Sequence, residues 1–256
     1  MGGKMEQICE ISFCQQARKH KKYNQDALFN DESVFQYAFK KPEKRIENRP
    51  HFIIGVADGV YHSPCPRKAS KAVIDALKDL KELNVESVIY LQDKLSEALA
   101  DRYFGSATTL VATEINQIER KAKILSVGDS RAYLISKEGE WEQITEDHSI
   151  LSEILELKKE QNPNDYASIY GGISSCLVAD NSAFQDKIFF KEIEIKEGET
   201  LLLCTDRLTD GIGLRWLQII WSYNKGILEK LRYYQKELKE PGCFYDDMSV
   251  IICAVQ

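Results

Sequence analysis

The feature that most constrains this chain is an apolar run that stops abruptly on a carboxylate. Phe52 to Gly59 reads FIIGVADG, so β-branched and apolar residues lead straight into Asp58 and then Gly59. Such a run is a buried strand delivering one charge at its C-terminal end. The construction recurs. KILSVGDSR places Asp129 after an apolar run, LLLCTDRLTDG places Asp206 and Asp210, and Asp246 with Asp247 opens the last strand, MSVIICAV. A carboxylate is costly to bury alone, and one or more polyvalent cations are the simplest compensation. For any one of these sites the competing reading is a plain turn, because Asp tolerates turn geometry and Gly supplies positive φ. Recurrence favours a metal centre, provided the fold brings these strand ends together.

The chain of 256 residues can bury a full core and reads as one domain, 1–256. Its 43% hydrophobic and 29% charged residues are those of an ordinary soluble globular protein. A formal net charge of −6 argues against a nucleic-acid partner, which calls for a basic face. The basic run Arg18 to Lys22 (RKHKK) reads as a solvated face. No run of about 18 apolar residues occurs, so no membrane span is expected. The start, MGGKMEQICEIS, lacks the apolar core of a signal peptide, and Glu6 stands where myristoylation needs Ser or Thr. Seven cysteines form no Cys-x-x-Cys pair, and Cys204 and Cys253 lie inside apolar strands. They read as small buried hydrophobes of a reducing cytoplasm rather than disulfides. A cytoplasmic monomer is the expectation.

Along the chain, Glu6 to Phe13 alternates as a first strand, and a short second strand ends at Phe29 with Asp26 at its junction. The charged stretch Lys40 to Arg49 reads as an exposed hairpin loop before the Phe52 strand. Arg67 to Leu83 and Asn84 to Tyr103 have helical periodicity. Thr108 to Ile118 and Lys123 to Ser136 read as neighbouring antiparallel strands, with a short one at Trp141 to Ile144. Ser149 to Glu160 is amphipathic, and Phe189 to Ile195 alternates. Leu214 to Lys239 is helical with a break near Asn224 to Gly226. Strands in blocks separated by helix pairs predict an α+β protein with antiparallel sheets covered by helices.

Seven segments now stand in a recognisable order. NQD (Asn24 to Asp26), VADGV (Val56 to Val60), SATTLV (Ser106 to Val111), VGDSRAYL (Val127 to Leu134), TEDHS (Thr145 to Ser149), CTDRLTDG (Cys204 to Gly211) and DDMSVI (Asp246 to Ile251) resemble the successive motifs of metal-dependent protein phosphatases. This is the PPM or type 2C family of serine/threonine phosphatases, in its compact bacterial form. The resemblance implies a four-layer α/β/β/α sandwich of two antiparallel sheets flanked by helices, with a metal cleft at one edge. It implies that Asp58 bridges two divalent ions and that Gly59 lends its carbonyl oxygen. Asp206 and Asp246 then complete the first ion, Asp26 acts through bound water, and Asp129 and Asp210 belong to a third, weaker ion. Oxygen donors of this kind suit manganese or magnesium. Two such ions about 4 Å apart share and deprotonate a water that attacks phosphorus. The implied partners are a phosphorylated protein and a cognate Ser/Thr kinase whose work is reversed.

The sequence also departs from that pattern. Gln25 stands where a glutamate is frequent, and Lys21 where an arginine usually contacts phosphate. Val60-Tyr61-His62-Ser63-Pro64 replaces a glycine-rich continuation, and Arg207 follows Asp206 in place of glycine. Lys21 and Arg207 are therefore the candidates for substrate phosphate, Lys21 as a point charge without a bidentate fork. His62 reads as a loop-surface residue and His148 as a shaper of the cleft. A flap-like insertion is expected at about 149–181. Gln25 and Arg207 also leave open a pseudophosphatase that binds without turnover. Another metal-dependent hydrolase, such as a nuclease, fits the carboxylates but not the charge or the motif order.

Overall fold

The computed structural model describes residues 9–18, 21, 23–150, 153, 172–239 and 246–255. Strand β5 (His51–Ala57) shows why the opening run has no polar face. Phe52, Ile54 and Val56 enter one core cluster, while Ile53 and Ala57 enter another. A strand buried on both faces reads as continuous apolar sequence rather than alternation. Gly55 is the exception, because a Cβ there would lie 2.7 Å from Leu77 Cδ2 of the covering helix.

Around β5 lies a six-stranded antiparallel sheet with β2 (Ala27–Phe29), β3 (Val34–Phe35), β7 (Leu110–Asn116), β8 (Lys121–Val127) and β12 (Phe189–Glu194). Its order is β12-β8-β7-β5-β2-β3. The second sheet is also six-stranded and antiparallel. It contains β1 (Cys9–Gln16), β4 (Glu43–Glu47), β9 (Arg131–Ile135), β10 (Trp141–Gln143), β13 (Thr200–Cys204) and β14 (Met248–Val255). Its order is β10-β9-β13-β14-β1-β4. A two-stranded pair, β6 (Ala107–Thr108) with β11 (Leu177–Val178), stands beside them.

Helices α1 (Pro66–Leu77) and α2 (Glu86–Tyr103) cover the β5 sheet, burying Val73, Leu77, Leu91 and Leu95 against Ile53, Ala112 and Leu125. On the other side α3 (Asp206–Ile212), α4 (Leu214–Trp221) and α5 (Ile227–Glu237) bury Leu208, Leu217 and Leu231 into the cluster that holds β13 and β14. The result is an α+β sandwich of two antiparallel sheets with helices outside both, as the sequence implies. Among the described residues no helix is long and apolar enough to cross a membrane.

Three sequence expectations need correction. The stretch from Lys40 to Arg49 is not a loop, because Glu43–Glu47 forms β4 and pairs with β1. Buried Glu47 is neutralised by Arg45 and Arg49 at 2.8 and 2.7 Å, so a charged sequence holds a sheet edge. Lys123 to Ser136 is two strands in different sheets, broken at Gly128, whose φ of 106° turns the chain from β8 toward β9. Cys9 and Cys253 form a disulfide rather than lying free, since β1 and β14 set them diagonally with Cα atoms 6.3 Å apart.

Candidate metal centre

Strand register explains why carboxylates far apart in sequence converge. Ala27 pairs with Ala57, so Asp26 at the start of β2 comes beside Asp58 at the end of β5. Val56 pairs with Val111 and Leu110 with Val127, which carries Asp129 to the same edge. In the facing sheet Cys204 pairs with Val250, bringing Asp206 to the residues that open β14, Asp246 and Asp247.

Each carboxylate has its own scaffold. Asp26 is fully buried, and its Oδ2 accepts from Thr205 Oγ1 at 3.1 Å and Ser249 Oγ at 2.9 Å. Asn24 Oδ1 accepts the Asp26 N–H at 2.8 Å and fixes the turn before β2. The Asp58 N–H donates to Thr109 Oγ1 at 3.0 Å, and the Asp58 carbonyl accepts from Thr109 N at 2.8 Å and Thr108 Oγ1 at 2.7 Å. Gly59 must be glycine for space, since a Cβ would lie 2.5 Å from the Pro66 carbonyl oxygen. Asp206 opens α3. Asp210, exposed on that helix, is ion-paired with Arg131 at 2.6 Å. Arg131 also grips Asp147 at 2.7 Å.

The electrostatics are those of crowded anions. Burial, then the charges of Asp26, Asp206, Asp246 and Asp129, raises the Asp58 carboxyl well above the usual range. Burial and then Asp247 raise Asp26 in the same way. Burial and the charge of Asp206 push Asp129 up to about 8, and burial with Asp210 pushes Asp206 up to about 6. The structure therefore brings Asp26, Asp58, Asp129, Asp206 and Asp246 into one electrostatic unit.

The donor set fits hard divalent cations. Oδ1 of Asp26 and Oδ1 of Asp206 are buried without a hydrogen-bond partner, although buried carboxylate oxygens are ordinarily satisfied. Among the described residues no three His, Cys, Asp or Glu side chains close on one point as a finished cage. Magnesium-like ions retain several waters, so a looser ring of oxygens is compatible with them.

The sequence placed Asp247 beside Asp246 at the start of the last strand but gave it no role of its own. Its carboxylate is buried and accepts the Arg18 N–H at 2.7 Å and the Gln25 N–H at 2.6 Å, closing the connection that leads to Asp26. The doubled aspartate before an apolar strand was the available signal. Of the phosphate candidates, Lys21 is exposed and donates its backbone N–H to Arg18 O at 3.1 Å. Arg207 lies back along α3, with Cζ 3.1 Å from where a Gly211 Cβ would sit. His62 is exposed in its loop, edge-on to Tyr61. His148 is buried, and its Nδ1 accepts the Gly128 N–H at 3.2 Å. The expected flap at 149–181 lies largely outside the described residues. Its ends meet where Ile150 N donates to Gly172 O at 2.8 Å.

No family model and no curated protein sequence matches this chain. Its fold is that of bacterial PPM-type serine/threonine phosphatases. The serine/threonine phosphatase of S. agalactiae superposes with a TM-score of 0.76 at 20% identity, covering 97% of this chain and 100% of that one. Stp1 of Staphylococcus aureus, also a serine/threonine phosphatase, gives 0.72 at 21% identity over 100% and 99%. RsbX in complex with magnesium gives 0.61 at 17% identity over 99% and 98%.

Proposed function

We propose that this chain is a metal-dependent phosphatase that hydrolyses phosphoserine and phosphothreonine in proteins, opposing a Ser/Thr kinase. The observation that carries the reading is the convergence of five strand-end aspartates, with buried unpartnered oxygens on Asp26 and Asp206, in a sandwich shared with serine/threonine phosphatases. In this reading Asp58, Asp206 and Asp246 are the principal ligands, Gly59 adds its carbonyl, and Asp26, Asp129 and Asp210 complete a set for two or three ions. Magnesium or manganese held there would supply an activated water and offset phosphoryl charge.

The chain's own residues prepare that site. Thr205 and Ser249 orient Asp26 by donating to one oxygen, which leaves the other to face the cluster. Thr108 and Thr109 grip the Asp58 backbone and fix where its carboxylate emerges. Arg131 restrains Asp210 on the rim, and Lys21 and Arg207 are the cations proposed for the phosphoryl oxygens. Gln25, which replaces a frequent glutamate, contributes its backbone N–H to Asp247.

The test is hydrolysis of p-nitrophenyl phosphate and of a phosphothreonine peptide with magnesium, manganese or chelator. Metal-dependent turnover of both is expected. Asp58→Asn is expected to lower it by about 10³-fold with the fold intact, since one charge anchors the centre. Metal-independent turnover, or a fully active Asp58→Asn protein, overturns the reading. A folded protein that binds phosphopeptide but never turns it over identifies the pseudophosphatase alternative.

A further inference from the structure

We propose that Arg18 and Arg67 form an anion clamp at the mouth of the carboxylate cluster, selecting phosphopeptides with a second anionic side chain beside the phosphorylated residue. The proposal rests on the phosphatase reading and names the class of protein substrate that site would take.

The two arginines are placed reciprocally. Arg18 follows β1, and its guanidinium lies over the ring of Tyr61, 4.6 Å from the centroid, in the loop that follows Asp58. Arg67 begins α1 behind that loop, and its guanidinium lies over Tyr23, 4.9 Å from the centroid, in the connection that leads to Asp26. Each loop thus supplies a cation to the other loop's tyrosine. The backbone holds both pairs against the cluster. Arg18 N donates to Asp247 Oδ1 at 2.7 Å, and Ser70 Oγ on the first turns of α1 donates to the Gln25 carbonyl. The Pro66 carbonyl packs directly on Gly59.

The chemistry of these contacts points outward. Among the described residues neither guanidinium forms an ion pair, although five aspartates gather just inside. Stacking on an aromatic face uses the flat of a guanidinium and leaves its edge N–H donors open. Those edges match a carboxylate or phosphate in bidentate geometry. Tyr23 and Tyr61 are 63% and 53% exposed, so these cation–ring pairs stand in solvent on the loops that flank Asp26 and Asp58 and not inside the core. A third cation repeats the arrangement on the same helix, with Lys68 Nζ 4.1 Å from the Tyr103 centroid. Cations with no salt-bridge partner among the described residues, of which Arg18 also acts on Asp247, draw an anionic peptide toward charges that would otherwise repel it. One phosphoryl group occupies the centre, so cations seated on the outer loops meet the residues flanking it.

The experiment compares three phosphothreonine peptides that differ only in flank: acidic, neutral, or carrying a second phosphothreonine. Steady-state kinetics in magnesium give kcat/KM for each, and anisotropy gives binding of their non-hydrolysable phosphonate analogues. The wild type is expected to favour either anionic flank over the neutral one by about three- to tenfold, mostly through KM, and less so in high salt. Comparing the two anionic flanks tells carboxylate from phosphate as the second anion. In Arg18→Gln/Arg67→Gln the preference is expected to fall to about one, and Arg→Lys at both positions to restore part of it. No preference in the wild type, or an undiminished preference in the double variant, overturns the clamp. Absence of all turnover refutes the phosphatase reading instead, and the binding arm then judges the clamp by itself.

Discussion

Thr205 and Asp26 meet across the sandwich: Thr205 Oγ1, at the end of β13 in one sheet, donates to Asp26 Oδ2, at the start of β2 in the other, at 3.1 Å. The same hydroxyl accepts the Ser249 N–H at 3.0 Å, so one small side chain ties three strand ends around a buried carboxylate. Thr205→Val keeps the shape but removes the donor and the acceptor together. It is expected to destabilise the fold by about 1–3 kcal/mol, the usual range for stranding buried polar groups. Urea denaturation checks this, with Thr205→Ser retaining most of the stability. Equal stability of Val and wild type would show the bond to be dispensable.

In the metal-free protein the clustered carboxyls favour acid, opposite in sign to salt-bridged Glu47, whose pKa is lowered to about 2 and whose contribution is lost in acid. Asp206 and Asp129 are raised from 3.8 to about 6 and about 8, chiefly by burial and neighbouring charge. The folded state therefore holds protons that the unfolded chain has already released. Their stabilising contribution is complete below pH 3.8 and is lost as pH rises through 6 and 8. In chelator, Tm is expected to fall between about pH 5 and pH 8.5, and magnesium to reverse most of the fall by supplying the missing positive charge. A flat or rising profile in chelator, insensitive to metal, would contradict a shared anionic centre.

How much of this was legible in the sequence follows from which signals are local. Apolar runs ending on Asp58, Asp129 and Asp206 are local, and they carried the strands, the helices between them and the idea of a common edge. The break at Gly128 was hidden, because VGDSR has apolar strands on both sides and only the positive φ separates them. β4 was hidden for the opposite reason, since Glu43 to Glu47 is almost wholly charged and pairs only because Arg45 and Arg49 neutralise Glu47. Asp246 and Asp247 look alike in a string of letters. Only the fold turns Asp247 toward the backbone of Arg18 and Gln25. Thr205 and Ser249 gave no signal, because single hydroxyls near strand ends are commonplace.

Lys21 and Arg207 are the two cations proposed for the phosphoryl group, and their settings differ. Lys21 is exposed, so its contribution to a substrate contact is screened, whereas Nε and Nη2 of Arg207 are buried alongside α3. Lys21→Ala is expected to raise KM for a phosphopeptide about three- to tenfold with kcat little changed, and Lys21→Arg to preserve or improve binding. Arg207→Ala is expected to lower Tm as well, because it removes packing beside Gly211. If Lys21→Ala is kinetically silent and Arg207→Ala is not, the anion site lies on α3.

Gly128 links two parts of the centre that the sequence separates. Its φ of 106° already disfavours a side chain, and an added Cβ would lie 2.6 Å from Thr109 Cγ2. Thr109 cannot give way freely, because its Oγ1 holds both the Asp58 N–H at 3.0 Å and Ser130 Oγ at 2.7 Å. A methyl at 128 therefore pushes on the residue that positions Asp58. Gly105 separates the two effects, since it too has positive φ, 79°, but nothing within 4 Å of its added Cβ. Gly105→Ala is expected to cost about 1 kcal/mol, the backbone term alone. Gly128→Ala is expected to cost about 1–3 kcal/mol more from overpacking, and to weaken magnesium binding through displaced Asp58. Denaturation and magnesium titration of both variants decide the matter. If the two cost the same and bind magnesium alike, Thr109 yields without disturbing Asp58, and the Asp129 turn does not act on the centre through packing.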